Sequence, residues 1–211
     1  MRASDEKPPS DAVASGAPAS ASRTQAEVLR GAVAGERWAH AALYDTLYPI
    51  VARALQKILH QVPDYEDLVQ TSFELIVRTL QKPRAQPIEN LATWSSAIAA
   101  RVALDALRVR TRERRYFDRD TEASDAVADV SAPPLERQLD VRSDLAWLQA
   151  ALAAMNPDQA QAVLLHDVLG HDLFEVARLT EVSPAAAQKR LSRGHLELKR
   201  RAERLAKSRS K

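Results

Sequence analysis

No cysteine occurs among the 211 residues. That excludes disulfides, thiolate metal sites, cysteine nucleophiles and thiol redox switching in this chain. Glycine is scarce, at 5 residues, and aromatic residues make up only 5%. With so few turn formers beside abundant Ala, Leu and Arg, an all-α fold is expected rather than a sheet. No apolar run approaches the roughly 20 residues of a membrane span. The N-terminus has no apolar core segment and carries Asp5 and Glu6, so it does not read as a secretory signal. A cytoplasmic chain is the expectation. Nor is there a large excess of one charge: 30 Lys and Arg against 28 Asp and Glu leave +2. Net charge alone does not mark a nucleic-acid binder, so the distribution of charge must decide.

Catalytic constellations are also missing. The histidines are His40, His60, His166, His171 and His195, and no two of them have metalloprotease spacing. There is no Gly-rich phosphate loop and no nucleophile elbow. Glu66 and Asp67 are adjacent on a helix and point in neighbouring, not facing, directions. No catalytic residue, cofactor or metal is expected, and the histidines read as surface or partly buried side chains.

What is present is arranged in blocks. Residues 1–25 are rich in Ala, Ser and Pro without apolar periodicity, and read as a disordered tail. Residues 26–117 hold 13 basic and 10 acidic side chains, residues 118–144 hold 3 and 8, and residues 145–211 hold 11 and 7. Two basic helical blocks are therefore joined by an acidic, Pro-containing linker.

In the first block, Leu43, Leu47, Val51, Leu55, Ile58 and Leu59 recur at spacings of three and four, a core-facing stripe. Pro63-Asp64 breaks it, and Asp64 is expected to cap a helix carrying Val69, Phe73, Ile76 and Leu80 on one side. Pro83 and Pro87 bracket a polar loop. A third helix is predicted from about Leu91 to about Arg115. In the second block Asn156-Pro157 signals a helix start and Gly170 a stop. Asp172-Leu173-Phe174-Glu175 is a capping-box pattern, and Ser183-Pro184 opens the last helix, predicted to run to about Ala206. Two helices separated by so short a turn are the helix-turn-helix signature.

Two helix faces can carry function. On the third helix Trp94, Arg101, Asp105, Arg108, Arg112 and Arg115 fall within an 80° sector at 100° per residue. Such a stripe can neutralise phosphates along one strand, with Trp94 stacking on an unpaired base. A solvated arginine face with a core tryptophan explains the pattern equally well. On the last helix Ala187, Leu191, Gly194 and Leu198 face the core. Gln188, Lys189, Ser192 and Arg193 form a compact patch near its N-terminal half, where a recognition helix meets base edges. Lys199, Arg200, Arg201, Arg204, Lys207, Arg209 and Lys211 add nonspecific attraction. The competing reading is a surface helix with ordinary charges.

The residues also carry a resemblance. Asp64–Leu80, DYEDLVQTSFELIVRTL, resembles the segment of bacterial sigma factors of the extracytoplasmic-function group that docks on the β′ clamp helices of RNA polymerase. Ala92–Arg110, ATWSSAIAARVALDALRVR, resembles the −10 recognition and melting helix of that group. Asp172–Arg200, DLFEVARLTEVSPAAAQKRLSRGHLELKR, resembles its −35 helix-turn-helix, and Ala34–Pro49 its opening helix. The four segments stand in family order over about residues 26–205.

The resemblance implies a sigma factor that binds core polymerase, selects promoters and helps to melt them, without being an enzyme. It implies a core- and −10-binding domain at 26–115, an acidic linker at 116–139 and a −35-binding domain at 140–206. The linker then suits a segment threading a basic polymerase channel. Asp64, Glu66, Asp67, Leu68, Gln70 and Glu74 are the implied core-binding residues. Lys82, Arg84 and Asn90, in the loop before Trp94, join Trp94, Arg101, Asp105, Arg108 and Arg112 as −10 candidates. Ala185, Gln188, Lys189, Ser192 and Arg193 are the −35 candidates. Core polymerase and promoter DNA are the implied partners, an anti-sigma factor is a further candidate, and the expected location is the cytoplasmic nucleoid. The sequence departs from the family pattern at His40, at Ser95, Ser96, Ala97 and Ala100 after Trp94, at Gln188, and at Glu181, where a turn position favours Gly. The rivals are a helix-turn-helix regulator that is not a polymerase subunit, and a sigma mimic that titrates a regulator.

Overall fold

The structure, a computed structural model, describes residues 24–60, 62–82, 88–120 and 135–209. The only regular elements among the described residues are helices, as expected: α1 (Gln25–Val33), α2 (Arg37–Leu59), α3 (Tyr65–Leu80), α4 (Leu91–Asp120), α5 (Leu135–Ala153), α6 (Pro157–Val163), a π-helical turn (Leu164–Val168), α7 (Leu173–Leu179) and α8 (Pro184–Arg209).

Local chemistry sets most of these boundaries. Thr24 and Glu27 form a reciprocal capping box at the start of α1. Thr24 and Gln25, placed in the tail by the sequence reading, thus belong to the start of α1, and residues 1–23 lie outside the described residues. Gly35, at φ +77°, lets the chain leave α1, with the Glu36 N–H bonded to the Gly31 carbonyl and the Gly35 N–H to Ala32. The Asn156 side chain accepts from the Asp158 and Gln159 N–H groups, and Pro157 is the first residue of α6. Asp172 and Glu175 close the predicted box on α7.

Three expectations need correction. Asp64 precedes α3 but makes no capping bond; its carboxylate pairs with Arg110 of α4 instead. The third helix does not stop near Arg115 but continues to Asp120, and the last continues past Ala206 to Arg209. Residues 111–120, TRERRYFDRD, contain neither Gly nor Pro, so nothing in them ends a helix. The span 116–139 expected as linker overlaps the end of α4 and the start of α5, and residues 121–134 lie outside the described residues.

The stripe on α2 is the centre of the fold. Leu43, Leu47, Val51, Leu55, Ile58 and Leu59 are all buried, together with Val69, Ile76 and Leu80 of α3. At roughly 1.5–3 kcal/mol for each buried aliphatic side chain, this stripe outweighs any exposed ion pair, worth about 0–1 kcal/mol. Tyr65 ties α3 to α2 through a hydroxyl bond to the Ala52 carbonyl at 3.0 Å. Burial raises the Tyr65 pKa, and the neighbouring Tyr48 and Glu66 add to the rise.

The two blocks share one continuous core. It runs from Leu43 and Leu107 to Leu152, Leu164, Leu165 and Leu191. From α5, Gln149 donates to the Ile58 and Leu59 carbonyls at 3.1 and 3.2 Å, satisfying acceptors at the end of α2.

Close approach between α8 and α6 depends on Gly194, which is buried. A Cβ there would lie 2.6 Å from Val163 Cγ2 and 3.2 Å from the Gln159 carbonyl oxygen. The helix-propensity gain of alanine, roughly 1 kcal/mol, is smaller than the clash can cost. Gly194→Ala is expected to lower stability by about 1–2 kcal/mol. Chemical denaturation measures this, and an unchanged or raised midpoint would show that α6 yields freely.

Candidate functional site

The helix-turn-helix is built from strong local signals. After α7, the Val182 N–H bonds the Ala177 carbonyl at 2.9 Å and the Glu181 N–H bonds Arg178 at 3.3 Å. This is a Schellman ending, which wants a left-handed residue, and Glu181 takes it at φ +54°. The departure noted in the sequence is thus a real backbone cost, since a side chain is disfavoured there by roughly 1–2 kcal/mol. Ser183 Oγ then accepts from the Ala186 N–H at 3.2 Å and starts α8.

Along α8 the two faces separate as the periodicity predicted. Ala187, Leu191 and Gly194 are buried and Leu198 packs partly against the core. Ala185, Gln188, Lys189, Ser192 and Arg193 are exposed together, and Gln188 donates to Ser192 Oγ at 3.2 Å. Arg190 belongs to neither group: it reaches back to Asp158 of α6 at 2.8 Å. Its pairing leaves Lys189 and Arg193 as the cations on the outward patch. Further along, Arg201 bonds Glu197 at 2.7 Å and the Ala154 carbonyl at 3.3 Å, tying α8 to the end of α5.

The position of α8 is also set by an acid between two imidazoles. Asp167, in the π-turn, lies 2.6 Å from His166 Nδ1 and 2.7 Å from His195 Nε2 on α8. Burial by itself pushes the Asp167 carboxyl up, but hydrogen bonds and charge from His166 and His195 outweigh it and hold its pKa below the usual value. Sequence reasoning treated these histidines as ordinary. Their pairing depends on a contact across 28 residues that no local spacing shows.

On α4 the proposed stripe divides. Arg101, Asp105 and Arg112 are exposed, whereas Arg108 is largely covered and bonds Asp105 at 3.3 Å. Its Nη2 is buried without a partner, a condition that costs about 1–3 kcal/mol. Trp94 is 8% exposed and packs in the core. Leu91 and Thr93–Ala100 are all buried around it. Asn90 acts as a cap, its Oδ1 accepting from the Thr93 N–H at 3.0 Å. Lys82 is exposed, and Arg84 lies outside the described residues.

On α3, Glu66, Asp67, Gln70 and Glu74 are exposed and Leu68 is half-buried; Gln70 donates to Glu74 at 3.0 Å. Phe73 turns inward, its ring 4.6 Å from that of Tyr44. Between α3 and α4 lies a groove of about 770 Å³, lined by Leu68, Glu74, Leu75, Asp105, Val109 and Arg110 among others. Among the described residues no cluster of His, Asp and Glu could hold a metal ion, and no helix is long and apolar enough to cross a membrane.

An acidic helix face, an arginine-bearing helix and a helix-turn-helix now stand in fixed relation. Comparison with known proteins matches both helical blocks. Residues 43–113 match the family model for sigma-70 region 2, and residues 145–198 match the model for sigma-70 region 4. The chain is similar to the RNA polymerase sigma factor CarQ of Myxococcus xanthus, 35% identical over 136 residues, covering 64% of this chain and 72% of that protein. Among solved structures it resembles CnrH in complex with the cytosolic domain of CnrY (TM-score 0.47, 17% identity, covering 84% of this chain and 96% of that one). It also resembles the sigma factor RpoE, in complex with the anti-sigma factor NepR, from Bartonella quintana (TM-score 0.43, 19% identity, covering 76% and 94%). The chain belongs to the sigma-70 family of RNA polymerase sigma factors, in its extracytoplasmic-function group. It is therefore a subunit that binds core RNA polymerase and directs promoter recognition and transcription initiation.

The Asp167 pairing has a pH signature. Because its folded pKa is lowered, its contribution is complete above the ordinary carboxylate range, roughly pH 4, and is lost as pH falls through the lowered value. Asp167→Asn should therefore lower thermal stability at pH 6 and lose that difference in strong acid. Parallel melting curves of both proteins at all pH values would remove the pairing from the account.

Proposed function

We propose the division of labour on this chain that the geometry favours. Residues 26–115 form the core-polymerase and −10-binding unit, and residues 140–206 form the −35-binding unit. The chain is not itself an enzyme: polymerase performs the chemistry. Its expected place is the nucleoid, and an anti-sigma factor is a fitting protein partner, as for the sigma factor similar to it whose complex was solved with one.

The observation that carries the reading is the split of α8. Buried Ala187, Leu191 and Gly194 fix one side, which leaves Gln188, Lys189, Ser192 and Arg193 facing outward at the helix start. Gln188 and Arg193 are assigned to base edges, where Gln suits adenine and Arg suits guanine; Lys189 and Ser192 are assigned to phosphates, with Ala185 at the entry to the groove. On α4, Arg101, Asp105 and Arg112 are placed toward the −10 strand, with Lys82, Arg84 and Asn90 before them. The acidic face of α3, from Asp64 and Glu66 through Asp67, Leu68 and Gln70 to Glu74, is placed on the β′ clamp helices.

Two outcomes test these assignments. Arg193→Ala should relax preference at one −35 base at a cost of roughly 1–3 kcal/mol, whereas Lys189→Ala should weaken all sequences alike and lower the salt slope by roughly one unit. Selection from randomised −35 sequences with polymerase holoenzyme decides this, and unchanged preference in Arg193→Ala would put the groove on another face. Separately, Asp67→Arg combined with Gln70→Ala should weaken polymerase binding in a pull-down while leaving helical content intact, because both side chains are exposed. Undiminished binding would move the polymerase interface away from α3.

A further inference from the structure

The exposed stripe of α8 continues past the residues assigned to DNA. Gln188, Ser192, His195 and Lys199 follow one another at spacings of four, three and four, and all are exposed. At 100° per residue they fall within a sector of about 60°. They run alongside the buried Ala187, Leu191 and Gly194. At 1.5 Å of rise per residue, His195 stands about 10 Å beyond Gln188 along the helix axis. The major groove is about 8.5 Å deep. A helix that enters by its N-terminal residues and holds Gln188 against base edges therefore brings His195 to the level of the phosphates.

The imidazole is held in a defined way. Its Nε2 lies 2.7 Å from one Asp167 oxygen, and His166 Nδ1 lies 2.6 Å from the other. With both oxygens engaged, the carboxylate is fixed in rotation. Its lowered pKa keeps Asp167 ionised at neutral pH, and an ionised carboxylate only accepts. His195 Nε2 is therefore the donor, and Nδ1 has no hydrogen-bond partner among the described residues. In the neutral ring Nδ1 carries a lone pair, which cannot bond a phosphate oxygen, itself an acceptor. One proton taken from solvent makes Nδ1 a donor and the ring a cation.

The other charged groups on elements packed against α8 are engaged elsewhere. Asp158 of α6 pairs with Arg190, Glu175 of α7 with His171, and Arg178 of α7 with Glu89. The α5 side chains beside Arg201 and Arg204 are Trp147, Ala150 and Ala151, none of them charged. On α8 itself Glu197 pairs with Arg201, while Arg193 and Lys199 are exposed.

We propose that His195, in its protonated form, is a further phosphate contact of the −35 surface, bonding Asp167 through Nε2 and a DNA phosphate through Nδ1, with Asp167 positioning the ring. Binding then takes up a proton, so affinity rises as pH falls across the range in which imidazoles charge, roughly pH 8 to 5. The proposal rests on reading α8 as the −35 helix.

Polymerase holoenzymes carrying the full native chain or a variant are to be compared on a fluorescent duplex bearing the −35 sequence selected from the randomised pool. His195→Gln keeps a donor for Asp167 but cannot take up a proton. Native affinity should exceed that of His195→Gln about three- to tenfold at pH 6 and match it at pH 8. At pH 6 the native salt slope should be steeper by roughly one unit. His195→Arg, a permanent cation, should exceed the native protein at pH 8 by a similar factor. Asp167→Asn should move the rise in affinity to lower pH, because the imidazolium loses the negative charge it faces. Equal affinities of native and His195→Gln at both pH values, or equal salt slopes at pH 6, would overturn the phosphate contact and leave His195 as a tie between α8 and the π-turn. Arg193→Ala tests the underlying reading separately. If it weakens binding while His195→Gln does not, the −35 reading stands and the His195 contact falls. If neither variant changes binding, both fall.

Discussion

Burial of the first turns of α4 on all sides governs the rest of this structure. A helix on a surface needs one apolar stripe; a helix enclosed by neighbours needs small or apolar side chains around its whole circumference. From Thr93 to Ala100 this helix has them. Helix α2 packs against α4, and α5, α6 and the π-turn contact it from the second block, so that a single core spans both blocks. The arginines begin only at Arg101, where the enclosure ends and α4 emerges. The same helix thus serves as core at one end and as a charged surface at the other.

The helix-turn-helix shows how local chemistry and long-range contacts share the work of positioning. Capping by Asp172, Glu175 and Ser183 fixes where α7 and α8 begin. The Schellman turn with Glu181 fixes the angle between them at the expense of a strained backbone. The rotation of α8 about its own axis is held by other contacts: Gly194 against Val163, Arg190 on Asp158, and His195 on Asp167. The ion pairs are half-exposed and individually weak. Their effect is to select which side chains face outward, and the buried Ala187 and Leu191 supply the stability.

The three faces proposed for polymerase and DNA differ in openness. The acidic face of α3 and the recognition patch of α8 are exposed as the structure stands. The α4 surface is partly enclosed.

The sequence by itself determined the helical class, the stripe of α2, the starts of α6, α7 and α8, and the outward patch of Gln188, Lys189, Ser192 and Arg193. Each rests on periods and caps that span only a few residues. It was also enough to flag Glu181 as a residue in a glycine position. Only the tertiary structure decided that Asp64 pairs with Arg110 rather than capping α3, that α4 and α5 extend into the predicted linker, and that Trp94 lies in the core. It alone brought Ser96 to His171 and Asp167 to His195. Those outcomes depend on which distant elements meet, and helical periodicity reports which face of a helix is apolar without reporting what will cover it.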